Sequence, residues 1–368
     1  NFALHQLRAG DHRGVLVTAT GAEDAVQHAP IIIACASTYW RNSWKYQARA
    51  YRHCFWDSGT LLANLLAIAA ADAVPARVIC GFVDDTVNVL LGLDAPREGP
   101  LALVALGYDP HVVTAPQPPP AAITFETLPL SAREVDYPAI REMQAASALQ
   151  TPGEVSEWRS SAPAPEPGDG VGQTFPLALL DEAHLPQETI DSVIQRRGST
   201  RRFAQVPISF AQLSTMLHRA TSGIPSDWGI SPNELYLIVN AVDGLSAGTY
   251  VYQRDRNALE LLRAGNVRRD AGHLGLGQEL PADASVNIYL LCNLDPVLAR
   301  FGNRGYRVAQ LDAAIIGGKL YLAAYALRLG ATGLTFFDDD VTDFFAPHAA
   351  GKSVMFLVAV GKSKTSVA

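Results

Sequence analysis

Two arginines and a serine alternate in the segment IQRRGSTRRFAQVPISF, at Arg197, Ser199 and Arg201. Alternate side chains of an extended chain project to the same side. Two guanidiniums and a hydroxyl on one side can close on a single phosphate group. The pattern therefore indicates an anion site, and the alternative is a solvated basic turn before the helix that Pro207 to Phe210 would open.

The elements that would position this segment belong to a repeat at an offset of 255 residues, which aligns residues 3–91 with residues 258–346 without a gap. RAYR at 49–52 recurs as RGYR at 304–307, and Asp57 recurs as Asp312. Each copy predicts a strand, an apolar helix, a second strand, a short helix opened by acidic residues and a last strand. The apolar helices are expected at Leu61 to Ala73 and Ile316 to Leu329. This order is typical of a layered mixed α/β module.

The predicted domain boundaries follow from the repeat and from composition. We expect a first module at residues 1–114, a linker rich in Pro, Ala, Gly and Ser at residues 115–185, and a second module at residues 186–368. Only the second copy has a front segment, Ile190 to Arg256. The first module either follows an upstream segment or uses the second module to complete its core.

Composition excludes several classes of protein. A formal charge of −7 and a pI near 5.7 argue against a broad nucleic-acid surface. Cys35, Cys54, Cys80 and Cys292 are scattered, which indicates buried thiols and neither disulfides nor a metal site. The apolar run from Leu61 to Val74 is too short for a membrane span, and no signal peptide is recognisable, so a cytoplasmic location is expected.

Three motifs in the second copy resemble the nitroreductase family, flavoproteins that bind FMN at a subunit interface. Arg197-x-Ser199-x-Arg201 followed by Pro-Ile-Ser resembles the family's opening phosphate motif. The resemblance implies further phosphate contacts from Lys362 and Lys364 after the last strand. It implies flavin contacts from Gly333 and Leu334 in LGATGLTFF, and an α+β fold of tandem modules, each with a mixed, mainly antiparallel sheet flanked by helices.

A narrower resemblance is to SagB-type dehydrogenases, which oxidise azoline rings in ribosomally made peptides. It is carried by PNELYLIVNAVDGLSAGTYVY at residues 232–252 and by TYWRNSWKYQARAYRHCFWD at residues 38–57, where aromatic rings and cations are concentrated. The resemblance implies catalysis by Lys45 and Tyr46. It also implies a modified precursor peptide and cyclodehydratase proteins as partners, and it allows a homodimer.

The chemistry of azoline oxidation explains why Lys45 and Tyr46 would be needed. One ring carbon loses a proton while its neighbour loses a hydride to the flavin, so a base is required. A Lys45 whose pKa is lowered by desolvation and nearby arginines could take the proton, and Tyr46 could relay it. The structural alternative is that Lys45 lies over Trp44 and Tyr46 is core. Their repeat equivalents are Arg300 and Phe301, so the fold does not demand the pair.

The repeat also indicates where chemistry is not expected. In the first copy, GYDP at residues 107–110 stands at the position of Lys362 and its neighbours, and it supplies an acid and a proline where the phosphate contacts would be, so we expect one FMN per chain, bound mainly by the second module. His53 is expected to be a packed or capping residue. The acidic runs Asp84-Asp85 and Asp338-Asp339-Asp340 are expected to cap helix N-termini and to complement the helix dipole, and GHLGLGQ at residues 272–278 is expected to be a plain loop.

Two other functions remain open on the sequence. One is a different oxidation by a protein of the same fold, or a nicotinamide-dependent reduction of a small molecule. The other is a non-catalytic subunit that binds a precursor peptide within a modifying complex.

Overall fold

The computed structural model describes residues 3–126, 128–160, 172–229 and 231–364. The SAPAPEPGDG run of the predicted linker, at residues 161–170, lies outside them. The helices are α1 (Arg13–Ala19), α2 (Asp24–His28), α3 (Trp40–Tyr46), α4 (Ala50–Ala71), α5 (Asp84–Leu91), α6 (Pro138–Ala146), α7 (Pro152–Ser160), α8 (Ile190–Arg196), α9 (Phe210–Thr221), α10 (Arg268–Leu274), α11 (Glu279–Asp283), α12 (Leu294–Phe301), α13 (Arg304–Ala326) and α14 (Asp338–Phe344). The strands are β1 (Ile31–Thr38), β2 (Ala76–Ile79), β3 (Glu98–Leu106), β4 (Thr174–Pro176), β5 (Ile208–Ser209), β6 (Asn233–Val239), β7 (Val242–Asp243), β8 (Gly248–Gln253), β9 (Ala258–Ala264), β10 (Val286–Cys292), β11 (Gly330–Gly333) and β12 (Ser353–Gly361).

The described strands form two antiparallel sheets and one short parallel pair. The larger sheet has the order β11-β12-β10-β6-β8-β9-β4, the smaller has the order β1-β3-β2, and β5 pairs with β7. Strand β10, with the sequence VNIYLLC, is buried at every position, as expected for a strand covered on both faces. The expected α+β class with a mainly antiparallel sheet flanked by helices is confirmed.

The internal repeat is present in the structure as two copies of one set of elements. Copy 1 (residues 13–106) runs from α1 to β3, and copy 2 (residues 268–361) runs from α10 to β12. Within them α1 matches α10, β1 matches β10, α4 matches α13, and the edge strand β2 matches the edge strand β11. The first and last elements of the two copies keep the offset seen in the sequence.

The two copies pack through their long helices, α4 and α13. A Cβ atom on Gly59 would lie 2.4 Å from Ala314 Cβ, and one on Gly318 would lie 2.5 Å from Ala63 Cβ. These two contacts are equivalent in the repeat, since Gly59 corresponds to Ala314 and Ala63 to Gly318. Small residues at both contacts allow the helix backbones to approach closely, so the copies share one core.

Both long helices begin well before the predicted starts. The prediction followed the apolar run, but α4 begins at Ala50 and α13 at Arg304. Their first turns are rich in arginine and aromatic residues that pair across the copies, and these tertiary contacts extend the helices. By length and composition alone, the helical stretch Trp40–Ala71 could also span a membrane, a criterion that core helices of soluble proteins meet as well.

Part of the predicted linker at residues 115–185 is folded onto the core, which corrects the expectation for that part. Helices α6 and α7 bury Ile140, Val155 and Trp158, and Arg307 of α13 donates to the backbone oxygen of Gln144 at 2.7 Å. The Pro- and Ala-rich composition did not reveal these few apolar anchors. The outer module boundaries stay a prediction.

In each copy, one aspartate binds a pair of arginines from the other copy. We call these two groups the Asp84 clamp and the Asp338 clamp. Asp84, the first residue of α5, accepts from Arg304 and Arg307 of α13. Asp338, the first residue of α14, accepts from Arg49 at 2.5 Å and from Arg52 of α4 at 2.7 Å.

The expected N-capping role is therefore wrong for these aspartates. The N-cap positions are held by Val83 and Phe337, neither of which makes a side-chain cap. Asp84 and Asp338 instead tie each short helix to the opposite copy, and as acids in the first turn they also oppose the positive end of the helix dipole.

Candidate functional site

A cavity of about 760 Å³ lies between the two copies. Copy 1 contributes the end of α3 and one face of α4. Copy 2 contributes α13, the residues that follow β11 and a residue of β12, and the segment that precedes β5 closes one end. The described lining residues are Lys45, Tyr46, His53, Trp56, Asp57, Thr60, Asn64, Arg197, Ser199, Arg201, Leu276, Gln278, Gly318, Tyr321, Gly333, Leu334, Thr335 and Phe356.

The alternating Arg-Ser-Arg segment runs along the edge strand β11. Helix α8 ends at Arg196, and the amide of Thr200 donates to the carbonyl of Ala331 at 2.9 Å. Thr200 is buried against the sheet, while Arg197, Ser199 and Arg201 all line the cavity. The extended geometry thus brings the three predicted anion ligands to one side.

The last residue of β11 and the backbone that follows it form the neighbouring wall. The amide of Gly333 donates to the hydroxyl of Tyr321, and the amide of Leu334 donates to the carbonyl of Leu357 at 3.2 Å. Gly333, Leu334 and Thr335 all line the cavity. Gly318 lies on the same wall, where a side chain would collide with Ala63 and Thr60.

Lys45 and Tyr46 reach the cavity from the last turn of α3. The ammonium of Lys45 lies 4.9 Å from the centroid of the Tyr46 ring, and that ring stacks on His53 with centroids 3.9 Å apart. Lys45 is exposed, so the expected desolvation of its amine is not present in this structure. His53 is packed, as expected, but it also lines the cavity.

The imidazole of His53 is held neutral. Burial lowers its pKa to about 4, and the positive charges of Arg49, Arg52 and Lys45 act in the same direction. Its Nε2 atom is buried and has no hydrogen-bond partner among the described residues. A neutral ring on the cavity wall can stack on Tyr46 without adding a further cation.

Lys362 and Lys364 are not among the residues that line this cavity, and both are exposed. Their backbones do join the two ends of the second half, since Ala204 N donates to Lys362 O and Lys364 N donates to Arg202 O, each at 2.9 Å. Ser363, between them, approaches Thr200 with hydroxyls 3.2 Å apart. Because side chains alternate along an extended chain, Lys362 and Lys364 project away from that contact.

The polar face of α4 was not predicted as part of the site. Asp57, Thr60 and Asn64 recur at spacings of three and four residues and line the cavity with His53. That spacing was visible in the sequence, but without the partner helix nothing showed which face was free. Leu276 and Gln278 were also missed.

The charge of the cavity lining suits an anionic ligand. Lys45, Arg197 and Arg201 oppose a single carboxylate, Asp57, among the described lining residues. Arg197 also keeps a buried Nε atom without a partner in the described part of the chain. The lining therefore offers cations, a hydroxyl and close backbone to a ligand that carries a negative charge.

Comparison with known proteins supports this description. The sequence profile of the nitroreductase family matches residues 194–362. A crystal structure described as a putative nitroreductase, from Anabaena variabilis, is 26% identical, has a TM-score of 0.77, and is matched over 96% of this chain and 74% of its own. A protein of Methanocaldococcus jannaschii, named as a putative nitroreductase, is 24% identical over 182 residues, which is 47% of this chain and 90% of that protein.

An Escherichia coli microcin synthetase complex with a bound truncated pro-microcin is also similar, at 16% identity and a TM-score of 0.42, over 58% of this chain and 82% of that one. A TM-score this low gives the similarity no weight for function. From the profile match and the Anabaena structure, residues 194–362 are similar to the nitroreductase family, and the chain as a whole has the nitroreductase fold.

Proposed function

We propose that the chain is an FMN-dependent oxidoreductase that oxidises azoline rings to azoles in a ribosomally made peptide. The observation that carries the proposal is the convergence of two distant segments on one cavity. Lys45 and Tyr46 come from copy 1, and Arg197, Ser199 and Arg201 lie just before β5. A ligand held by the second group would face the first.

The residues present fit FMN. Arg197 and Arg201 supply paired positive charge, Ser199 supplies a hydroxyl, and the free Nε of Arg197 can donate to a phosphate oxygen. Gly333 lets the wall approach a flat ring without a side chain in between, since a Cβ there would lie 3.4 Å from the hydroxyl of Tyr321 and 3.6 Å from the ring of Phe356, both of which line the cavity. When bound, the flavin would accept the hydride.

The chain's own residues would handle the proton. In this proposal the amine of Lys45 takes the proton from the azoline ring carbon, and the Tyr46 hydroxyl orients that amine or relays the proton. His53 fixes the Tyr46 ring by stacking and, being neutral, does not repel the ammonium. A peptide covering Lys45, which is exposed in the free chain, would exclude water from the reacting carbon.

Two measurements on the purified chain test the proposal in order. The visible absorption of the protein and the mass of the extracted cofactor report whether FMN is bound. Mass spectrometry of an azoline-containing peptide then reports the loss of two hydrogens per ring. Absence of any flavin after growth with excess riboflavin would sink the enzymatic proposal.

A second candidate is the nicotinamide-dependent reduction of a small molecule. The Anabaena protein, which is described as a putative nitroreductase and matches 96% of this chain, favours such a reduction. The exposure of Lys45 favours it as well. Steady turnover of a nitroaromatic compound with NADH or NADPH, together with no conversion of the azoline peptide, would establish this function instead.

A further inference from the structure

The repeat implies a second, equivalent position between the two copies, beside β2, and a segment of the chain itself occupies it. Three residues that line the main cavity, Thr335, Asp57 and Asn64, correspond at the offset of 255 residues to Cys80, Asp312 and Lys319. Each of these three equivalents binds the segment at residues 223–228, which connects α9 to β6. We call this segment the plug.

The plug runs along the edge strand β2 as the Arg-Ser-Arg segment runs along β11. The amide of Val78 donates to the carbonyl of Pro225 at 2.8 Å, and the amide of Asp227 donates to the carbonyl of Val78 at 3.1 Å. Equivalent edges of the two sheets are therefore covered by different segments. One segment presents cations to a cavity, and the other fills the space.

Asp227 occupies the backbone donors of this second position. Its two carboxylate oxygens accept from the amides of Cys80 and Gly81, each at 2.8 Å. Those amides belong to the equivalents of Thr335 and Phe336, immediately after the edge strand. The carboxylate is buried, so it takes hydrogen bonds that a ligand in this position would otherwise receive.

Trp228 fills the body of the position. Its ring is fully buried, and its Nε1 atom donates to Asp312 Oδ1 at 3.4 Å. At the far end of the plug, the ammonium of Lys319 donates to the carbonyl of Gly223 at 2.8 Å. A flat aromatic ring and a carboxylate thus stand where copy 1 would hold a planar, anionic ligand.

We propose that the plug is a built-in substitute for a second flavin, so that the chain binds one cofactor and keeps an occupied site between the copies, beside β2, whose shape suits a planar aromatic group. The inference rests on the proposed function for the nature of the first ligand. The closure of the second site rests only on the plug contacts. Shortening Trp228 should therefore create a cavity that takes a flat heterocycle such as indole.

The test has two arms on the full chain. The first arm is the molar ratio of extracted flavin to protein, expected to be one. The second arm is the melting temperature of Trp228→Ala with and without indole, where a rise of roughly 2–4 °C is expected at about tenfold excess over the dissociation constant. Phe345→Ala is the control, because Phe345 is also buried but packs on Tyr236, with ring centroids 5.2 Å apart, away from the plug and its contacts.

The outcomes separate the two proposals. Two flavins per chain, or equal stabilisation of both alanine variants by indole, would overturn the plug while leaving the oxidoreductase intact. No flavin at all would overturn the proposed function, and the indole arm, which needs no cofactor, would still decide the plug. If Trp228→Ala does not fold, Trp228→Leu leaves a smaller cavity and is tested with the same ligand.

Discussion

The two copies of the repeat have the same elements in the same order, yet their equivalent edges differ in what lies beside them. Beside β11, an extended segment with Arg197, Ser199 and Arg201 leaves a cavity open. Beside β2, the plug with Asp227 and Trp228 closes the equivalent space. A duplicated scaffold therefore need not duplicate a site, because the segment that lies along each edge strand, with Arg197, Ser199 and Arg201 or with Asp227 and Trp228, comes from outside the repeat.

The two clamps differ in the same sense. In the Asp84 clamp the side chains of Arg304, Arg307 and Asp84 are at most 4% exposed, whereas Asp338 is 32% exposed and Arg49 30%. The Asp84 clamp is therefore buried, whereas the Asp338 clamp keeps contact with water.

The largest expected effect on stability comes from removing the aspartate of each clamp. Asp84→Asn removes the charge that balances two buried guanidiniums, and we expect it to lower the free energy of unfolding by about 3–5 kcal/mol. Asp338→Asn is the matched variant, and it should cost about 1 kcal/mol or less, because its partners are partly solvated. Urea denaturation of both variants measures the difference, and equal losses would show that burial does not distinguish the clamps.

The next effect concerns the pair that only copy 1 carries. Lys45→Ala should lower azoline oxidation by roughly 10²–10⁴-fold with flavin still bound, since a positioned base contributes that much. The repeat equivalent, Arg300→Ala, should leave the rate unchanged. Both rates follow from mass spectrometry of the peptide, and a Lys45→Ala enzyme at full rate would remove the catalytic assignment.

A smaller effect should appear at the phosphate end. Replacing Arg201 by alanine should weaken FMN binding by about 10–100-fold, because a hydrogen bond from a charged donor to phosphate is lost. The side chain of Lys362 lies outside the cavity lining, so salt screens its attraction to the phosphate. Lys362→Ala should therefore change the FMN affinity by less than about twofold. Fluorescence titration of the apoprotein gives both constants, and a larger loss at Lys362 would reverse this ranking.

The smallest effects should be opposite pH dependences in the two regions. The pKa of His53 falls from 6.5 to about 4 on folding, so its stabilising contribution is present above pH 6.5 and is lost as the pH falls towards 4. Burial raises the pKa of Asp227 from 3.8 to about 6, so its contribution is present below pH 3.8 and is lost as the pH rises towards 6.

Single variants should expose these two slopes. His53→Phe keeps a ring against Tyr46 and should lose less stability than the parent chain between pH 6.5 and pH 4. Asp227→Asn should lose less than the parent between pH 4 and pH 6. The midpoints of urea denaturation, measured at the two ends of each pH range, report both changes in stability. If a variant loses as much stability as the parent chain, the replaced group is not the source of the pH dependence.

Several features could be predicted because their causes are local or periodic. The order of elements in each copy follows from hydrophobic runs, and the alternation of Arg197, Ser199 and Arg201 placed them on one side. The helix starts at Ala50 and Arg304 could not be found in this way, because ion pairs with residues far along the chain extend those helices. The folded helix α7, anchored by Val155 and Trp158, was hidden by a composition typical of linkers.

The sequence by itself determined the duplication, the class of fold and the types of side chain available for an anion site. Only the tertiary structure decided that Lys45 and Arg197 line one cavity, that Lys362 is not among its lining residues, and that Trp228 stands at the equivalent position beside β2. The physical reason is that a repeat specifies contacts within and between its own elements. The occupant of each exposed sheet edge is chosen by non-local hydrogen bonds and packing, which no local pattern records.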